Sequence, residues 1–136
     1  MSNIYNLFKF LEKKRGTETP IEVKLIYAPE ELTDEELNVE DHLDLFDTPI
    51  TSLPDNLQVG GSLNIKNTDI KTLPNNLKVE GSLNLINTKI TSLPDNLQVG
   101  GWLNLYGTPL GKKYTKEEIK KIIEKKGGYV KRDIYV

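Results

Sequence analysis

Hydrophobic positions recur with a period of twenty residues through the middle of the chain. Three consecutive copies span residues 51–110, align without gaps and share the frame L-P-x-N-L-x-V-x-G-x-L-N-(L/I)-x-x-T-x-(I/L). In the first copy Val59, Leu63 and Ile65 lie at odd offsets, so an extended backbone turns all three toward one face. The pattern therefore predicts a short strand in each copy with its apolar face buried.

The period also extends toward the N-terminus. Residues 38–50 keep the apolar positions of the frame and Thr48, and Val23 and Leu25 fall one further period back. Self-similarity at a fixed period of this length is typical of a solenoid, in which each copy forms one coil. The sequence predicts a single parallel sheet of about five strands, at roughly 22–26, 42–46, 62–66, 82–86 and 102–106.

The remaining frame positions predict turns. Gly61, Gly81 and Gly101 recur where the chain enters each strand, which indicates a positive φ or a close backbone approach. The Leu-Pro-Asp/Asn-Asn stretch is expected to be extended and then to turn, because proline fixes φ and lacks an N–H donor. Thr68 and its equivalents follow the strands, and we expect their hydroxyls to bond to backbone groups of the next coil.

The frame resembles the unit of the leucine-rich-repeat family, LxxLxLxx(N/C/T)x(L/I). Residues 60–70 (GGSLNIKNTDI) match it with Thr68 in the asparagine position, while Gly or Glu replaces the first leucine. The LP-containing period is similar to the short repeats of bacterial effectors and of small bacterial and phage repeat proteins. The resemblance covers residues 38–110 and, less closely, 21–37, and it implies a leucine-rich-repeat-like α/β solenoid that binds ligands on its concave strand face. The ubiquitin-ligase domain of some effector relatives needs a cysteine, which this chain lacks.

Both ends of such a solenoid need caps, because an open end exposes the core and unpaired strand edges. Residues 3–15 predict an amphipathic helix, and Thr115 with Glu118 forms a capping box for a second helix at 115–126. The tail, residues 129–136, alternates like a strand. We interpret the chain as one domain that comprises an N-terminal cap (1–20), the repeats (21–110) and a C-terminal helix-strand cap (111–136).

The outward residues of the predicted strands stack into three columns. The first contains Glu22, His42, Ser62, Ser82 and Trp102; the second contains Lys24, Asp44, Asn64, Asn84 and Asn104; the third contains Ile26, Phe46, Lys66, Ile86 and Tyr106. Large apolar groups on a face that should meet solvent are typical of interface anchors, unless the caps or curvature cover them. The candidate partner-binding residues are Phe46, Ile86, Trp102, Tyr106, His42, Asp44 and Lys66. The asparagine column is expected to form side-chain ladders between coils.

Charge is unevenly distributed in a chain whose net charge is −2. Residues 30–47 hold nine of the twenty acidic residues and no Lys or Arg, and residues 112–132 hold nine of the eighteen basic residues against three acids. Both segments are interpreted as solvated surfaces. One alternative is an acidic patch that competes for a nucleic-acid-binding partner, and another is self-association through the oppositely charged ends.

The chemical inventory is small. The absence of cysteine excludes disulfides, zinc-thiolate sites and thiol nucleophiles. His42 is the single histidine, and Ser62, Asp41 and Asp44 beside it provide a Ser/His/Asp set. An open, shallow face supplies neither an oxyanion donor nor a pocket that excludes water, so we expect no catalysis. We also expect no cofactor, because the glycine pairs at 60–61 and 100–101 lack the spacing of phosphate or dinucleotide loops. We expect no metal, because the carboxylates at Asp41 and Asp47 flank the strand and do not converge.

These observations favour a non-enzymatic protein-interaction module, such as a bacterial or phage factor that modulates a host protein. The 37% apolar content suits the thin core of a solenoid. No apolar run is long enough to span a membrane and the N-terminus lacks a signal-peptide pattern, so we expect a monomeric cytoplasmic protein. A protein partner is expected, whereas nucleic acid and membrane are not.

Overall fold

The repeats form a solenoid of parallel strands, and the computed structural model describes Asn6 and residues 19–136. Each coil contributes one strand to each of two parallel sheets. The valine sheet contains β1 (Asn38–Val39), β3 (Gln58–Val59), β5 (Lys78–Val79), β7 (Gln98–Val99) and β9 (Tyr129–Val130). The leucine sheet contains β2 (Leu43–Asp44), β4 (Leu63–Asn64), β6 (Leu83–Asn84), β8 (Leu103–Asn104) and β10 (Ile134–Tyr135). The predicted solenoid is confirmed, and the valine sheet is a second sheet that the sequence did not predict.

The core runs as columns of equivalent side chains along the solenoid axis. Leu43 pairs with Leu63, which pairs with Leu83, so leucines of successive coils stack directly on one another. Val59, Leu63 and Ile65 are each at most 1% exposed. The predicted inward face is therefore confirmed, because strand alternation places one apolar set on the inside of every coil.

The predicted strand at 22–26 is wrong. These residues belong to α1 (Ile21–Tyr27), which follows Pro20 and buries Leu25. A short apolar run fits both periods: Val23 and Leu25 suit a strand, but Ile21 and Leu25 are one helical turn apart. Glu22, Lys24 and Ile26 consequently do not extend the three columns.

A 3-10 turn, Pro29–Glu31, connects α1 to the first coil. Ala28, between the two, is fully buried and belongs to the core of this end. The predicted amphipathic helix at 3–15 lies outside the described residues. No helix in the described part of the chain is long and apolar enough to cross a membrane.

The fifth strand of each sheet comes from the C-terminal tail. β10 pairs with β8, so Ile134 lies against Leu103. The step from β7 to β9 is 31 residues instead of 20, because two helices are inserted: α2 (Pro109–Lys113) and α3 (Lys116–Lys125). The tail contains strand as predicted, but in place of one strand it forms two short strands that supply the last layer of the two sheets.

The predicted C-terminal helix is also confirmed. The Thr115 hydroxyl accepts a hydrogen bond from the Glu118 N–H, and the Glu118 carboxylate accepts one from the Thr115 N–H. Ile119 and Ile123 are buried against the last layer, and Gly127, at φ 83°, follows the helix end. α3 therefore caps this end of the core with its apolar face.

Candidate interaction surface

Polar side chains of the first outward column link each coil to the next. The Ser62 hydroxyl oxygen accepts a hydrogen bond of 3.0 Å from the Ser82 N–H, and the Ser82 hydroxyl oxygen accepts one of 3.0 Å from the Trp102 N–H. His42 Nδ1 accepts a bond of 2.8 Å from the Ser62 N–H. This ladder fixes the spacing of the coils on the outward face of the leucine sheet.

The recurring glycines bring neighbouring coils close together at the entry to this ladder. The Gly81 N–H donates to the Gly61 carbonyl at 2.9 Å, and the Gly101 N–H donates to the Gly81 carbonyl at 2.8 Å. A Cβ at Gly81 would lie 2.5 Å from the Ser62 hydroxyl oxygen. The prediction of a close backbone approach is confirmed, and none of the three glycines has a positive φ.

The second column does not form the predicted ladder between coils. The Asn64 side-chain oxygen accepts a hydrogen bond of 3.1 Å from the Lys66 N–H, two residues ahead in the same coil. The equivalent bond occurs in the other coils, where the side-chain oxygens of Asp44, Asn84 and Asn104 accept from the N–H groups of residues 46, 86 and 106. A short Asx side chain reaches its own backbone more readily than a neighbouring coil. The bond fixes the backbone at each residue of the third column.

Asparagine ladders occur instead in the turns. The Asn87 amide donates to the Asn67 side-chain oxygen at 3.1 Å, and the Asn96 amide donates to the Asn76 side-chain oxygen at 3.1 Å. All four residues have φ between 55° and 65°, a left-handed conformation that asparagine tolerates better than most residues. Gly107, at φ 75°, takes the place of Asn67 and Asn87 in the last repeat.

The threonine after each strand bonds within its own coil. The Thr68 hydroxyl donates to the Ile65 carbonyl at 2.8 Å, and Thr88 and Thr108 donate equivalently to Leu85 and Leu105. The expectation of a bond to the next coil is therefore wrong. The residue before each of these threonines is in the left-handed conformation, which turns the chain. The threonine hydroxyl therefore reaches the carbonyl three residues earlier in its own coil.

The third column is exposed most strongly at its two ends. Phe46 is 45% exposed and Tyr106 is 64% exposed, whereas Lys66 and Ile86 between them are half-buried. Phe46 and Tyr106 lie three coils apart, roughly 14 Å at the usual strand spacing. The predicted residues thus share one face, but the two exposed aromatic side chains do not form one patch.

A cluster of apolar groups lies at the C-terminal end of this face. The Trp102 and Tyr135 rings meet edge to face with centroids 6.1 Å apart and an interplanar angle of 76°. Trp102 is half-buried, while Tyr135 is 48% exposed and Val136 is 40% exposed. Val136 and Tyr106 line the same open hollow. We call Trp102, Tyr106, Tyr135 and Val136 the aromatic patch.

Tyr135 and Val136 were missed at the sequence level. The alternation of the tail indicated a strand, but nothing in it revealed that this strand would continue the leucine sheet beside Leu103. The 31-residue step hides the match, because it breaks the period that identified the other coils.

His42 and Ser62 are adjacent, but their side chains are not hydrogen-bonded to each other. His42 Nδ1 is bonded to the Ser62 backbone N–H and the Ser62 hydroxyl oxygen to the Ser82 N–H, so neither bond joins a base to a nucleophile. The Asp41 carboxylate accepts a hydrogen bond of 2.8 Å from the backbone N–H of His42, not from its imidazole. Among the described residues, no group of three or more His, Asp or Glu side chains converges in a way that could hold a metal ion.

The acidic segment 30–47 lies at the opposite end of the solenoid and is largely exposed. Eight of its nine carboxylates are exposed, and the ninth, Glu36, is half-buried beside Lys24. The Lys24 ammonium donates to Glu36 at 2.9 Å, and this hydrogen bond, followed by others from Thr33, holds the pKa of Glu36 below its ordinary value of 4.5. The pair ties α1 to the turn before the first coil.

Comparison of the chain with protein-family models, curated proteins and solved structures finds no match.

Proposed function

We propose that the protein is a non-enzymatic protein-binding module that uses the outward face of the leucine sheet. The observation that carries the proposal is the exposure of Phe46, Tyr106 and Tyr135 on the outward face of the leucine sheet. Aromatic side chains bury a large area per residue and are enriched among the residues that dominate binding energy. The aromatic patch is the proposed centre of the contact.

The scaffold beneath these residues supports the proposal. Asn104 fixes the backbone at Tyr106, and Asp44 fixes it at Phe46, each through a bond of about 3 Å. A preorganised surface loses little conformational freedom on binding, so more of the contact energy appears as affinity. His42, Asp44 and Lys66 supply polar groups on the same face, as expected for the rim of an interface.

The biological setting follows from the resemblance to leucine-rich repeats. LP-containing repeats with a twenty-residue period are similar to those of bacterial effectors and phage repeat proteins, and this similarity supports a factor that binds and modulates a host protein. We propose a cytoplasmic monomer, because a chain without cysteine has no need of an oxidising compartment.

The test is affinity capture followed by measurement with the purified partner. The bait is the full chain, and the comparison is a variant with Phe46, Ile86, Trp102 and Tyr106 all changed to alanine. Phe46→Ala or Tyr106→Ala alone should cost about 2 kcal/mol of binding free energy, because each removes an exposed anchor. Tyr129→Ala is the matched control, since Tyr129 is 38% exposed but belongs to the valine sheet. Equal affinity of parent and quadruple variant would remove this face as the binding site.

A second candidate function is an acidic decoy that occupies the nucleic-acid-binding surface of a partner through residues 30–47. The exposure of eight carboxylates in this segment, without Lys or Arg between them, favours it. Binding of this kind should weaken steeply with ionic strength, whereas aromatic-anchored binding should change little. A partner whose affinity is unchanged between low and high salt would speak against the decoy.

A further inference from the structure

Positive charge is concentrated in the C-terminal cap and not spread along the solenoid. Residues 48–111 carry four acidic and four basic residues, while residues 112–132 carry nine basic residues and three acids. Such a local excess of like charge raises the energy of the cap unless an anion or solvent screens it.

A groove of about 300 Å³ runs between α3 and the bend that joins β9 to β10. Its cationic lining consists of Lys116 and Lys120 from the helix and Lys131 and Arg132 from the bend. Glu117 and Asp133 also line it. The four cations exceed the two carboxylates by two charges, so the groove presents a net positive potential.

Both walls of the groove are fixed. Lys116 and Lys120 are four residues apart and share one side of α3, which Ile119 and Ile123 hold against the core. The Lys131 N–H donates to the Val99 carbonyl at 3.0 Å, so the bend is attached to the last repeat. The four cations are therefore carried by two walls of one groove whose backbones are fixed.

The two carboxylates of the groove offset only part of its positive charge, as far as the described residues show. None of the four cations takes part in an ion pair with another residue of the described part of the chain. The Lys131 ammonium lies 5.7 Å from the centroid of the Tyr129 ring, a contact that orients it but adds no opposite charge. The N-terminus of α3 is already occupied by the Thr115–Glu118 capping box and takes no part in the site.

We propose that this groove binds a phosphate group. A phosphate dianion matches the excess of two positive charges, and the guanidinium of Arg132 can contact two of its oxygens at once. A single carboxylate would leave the groove with net positive charge. The two negative charges can come from one phosphate of a small molecule or from two neighbouring phosphodiesters of a nucleic-acid backbone, and the experiment separates these two sources.

The experiment titrates the full ¹⁵N-labelled chain with inorganic phosphate and, separately, with a short single-stranded oligonucleotide. Chloride keeps the ionic strength constant. Amide shifts should be confined to the two walls, at Lys116, Lys120, Lys131 and Arg132. An oligonucleotide that binds more tightly than inorganic phosphate indicates a backbone as the source, and comparable affinities indicate a small molecule. Absence of localised shifts with both ligands overturns the proposal.

Two double variants test whether the groove itself is responsible. Lys120→Gln/Arg132→Gln removes two charges from the groove, and Lys121→Gln/Lys125→Gln removes two from exposed positions outside its lining. The first should weaken phosphate binding at least about tenfold, as expected for loss of hydrogen bonds to a charged group, and the second much less. Equal losses in both variants overturn the proposal in favour of general electrostatic attraction. A poly-glutamate peptide that binds the groove as tightly as the oligonucleotide also overturns it, because the ligand is then an acidic protein segment.

Discussion

His42 Nδ1 accepts a hydrogen bond of 2.8 Å from the backbone N–H of Ser62, twenty residues ahead in the chain. In the next two coils a serine hydroxyl accepts the equivalent bond at 3.0 Å. The imidazole thus serves in the first coil as the acceptor that serine supplies in the others. His42, which the sequence offers as a candidate catalytic residue, is therefore the first acceptor in a series of hydrogen bonds that joins successive coils.

This relationship predicts opposite outcomes for two substitutions of His42. His42→Ser should keep the free energy of unfolding close to the parent value, since the hydroxyl continues the ladder of Ser62 and Ser82. His42→Ala removes the acceptor and should cost about 0.5–1.5 kcal/mol. Urea denaturation of both variants checks this. Equal stability of the serine and alanine variants would show that water replaces the bond without loss.

The buried leucines predict severe destabilisation by a carboxylate. Leu63 and Leu83 are fully buried in the same column, so Leu63→Asp or Leu83→Asp places an unpaired charge in the core at a cost of several kcal/mol. Both variants should lose the cooperative melting transition followed by circular dichroism. Asn67→Asp is the control, because it adds the same charge on the surface and keeps the acceptor for Asn87. Unchanged melting of the two core variants would contradict the register.

The left-handed turns predict a difference between glycine and alanine. Asn56 has φ 67° and is exposed, so its conformation matters more than its packing. Asn56→Gly should be close to neutral, whereas Asn56→Ala should cost about 1–2 kcal/mol because a Cβ is strained in this region. Melting temperatures of the two variants measure the difference. Identical values would mean that the turn relaxes to a negative φ.

The coil register was predictable because the period is strict. A leucine recurs at the same position of each twenty-residue repeat, so it fixes which side chains stack, and the structure pairs Leu43, Leu63, Leu83 and Leu103 accordingly. The inward face and the three outward columns of the complete coils follow from strand alternation alone. The same alternation is sufficient to place Phe46, Ile86, Trp102 and Tyr106 on one face.

Features that depend on tertiary context were not predictable. The segment 22–26 is short enough to suit a helix or a strand, and burial of Leu25 beside Ala28 decides for the helix. Two-residue strands such as Gln58–Val59 leave too little alternation to reveal a second sheet. The asparagine column satisfies its own backbone, a choice that depends on local turn geometry and not on the spacing of repeats.

The Lys24–Glu36 pair predicts a small dependence of stability on pH. Hydrogen bonds from Lys24 and Thr33 lower the folded pKa of Glu36, so the carboxylate is stabilised in the folded state. This contribution is fully present above pH 4.5, the ordinary value, and is lost as the pH falls through the lower folded pKa. Because both side chains are partly exposed, its size should be about 1 kcal/mol or less.

Glu36→Gln isolates this effect. The variant should be slightly less stable than the parent at neutral pH, and the difference should shrink in acid, where the parent carboxylate is protonated as well. Exposed Glu40→Gln, in the same acidic segment, is the control for the loss of one charge. Denaturation curves at neutral and acidic pH measure the difference, and a gap that widens in acid would contradict the assigned cause.

The contact between Trp102 and Tyr135 provides a direct measurement of the aromatic patch. Trp102 is the single tryptophan of the chain, so fluorescence reports its surroundings without interference. Tyr135→Ala removes the ring that meets Trp102 edge to face, and the emission should shift to the red as water reaches the indole. Loss of the aromatic pair should also cost about 0.5–1.5 kcal/mol of stability.

Tyr129→Ala is the matched control for the Trp102 measurement, because Tyr129 lies on β9 of the valine sheet and should leave the emission unchanged. If Tyr135→Ala also leaves the emission unchanged, β10 does not cover Trp102 in solution. The whole Trp102 ring is then exposed and available as an anchor, so the binding face includes more of Trp102 than the structure indicates. If Tyr135→Ala instead gives a red shift and also changes the affinity for the partner, the tail is part of the binding surface. The C-terminal strand then both completes the leucine sheet and determines how much of Trp102 a partner can contact.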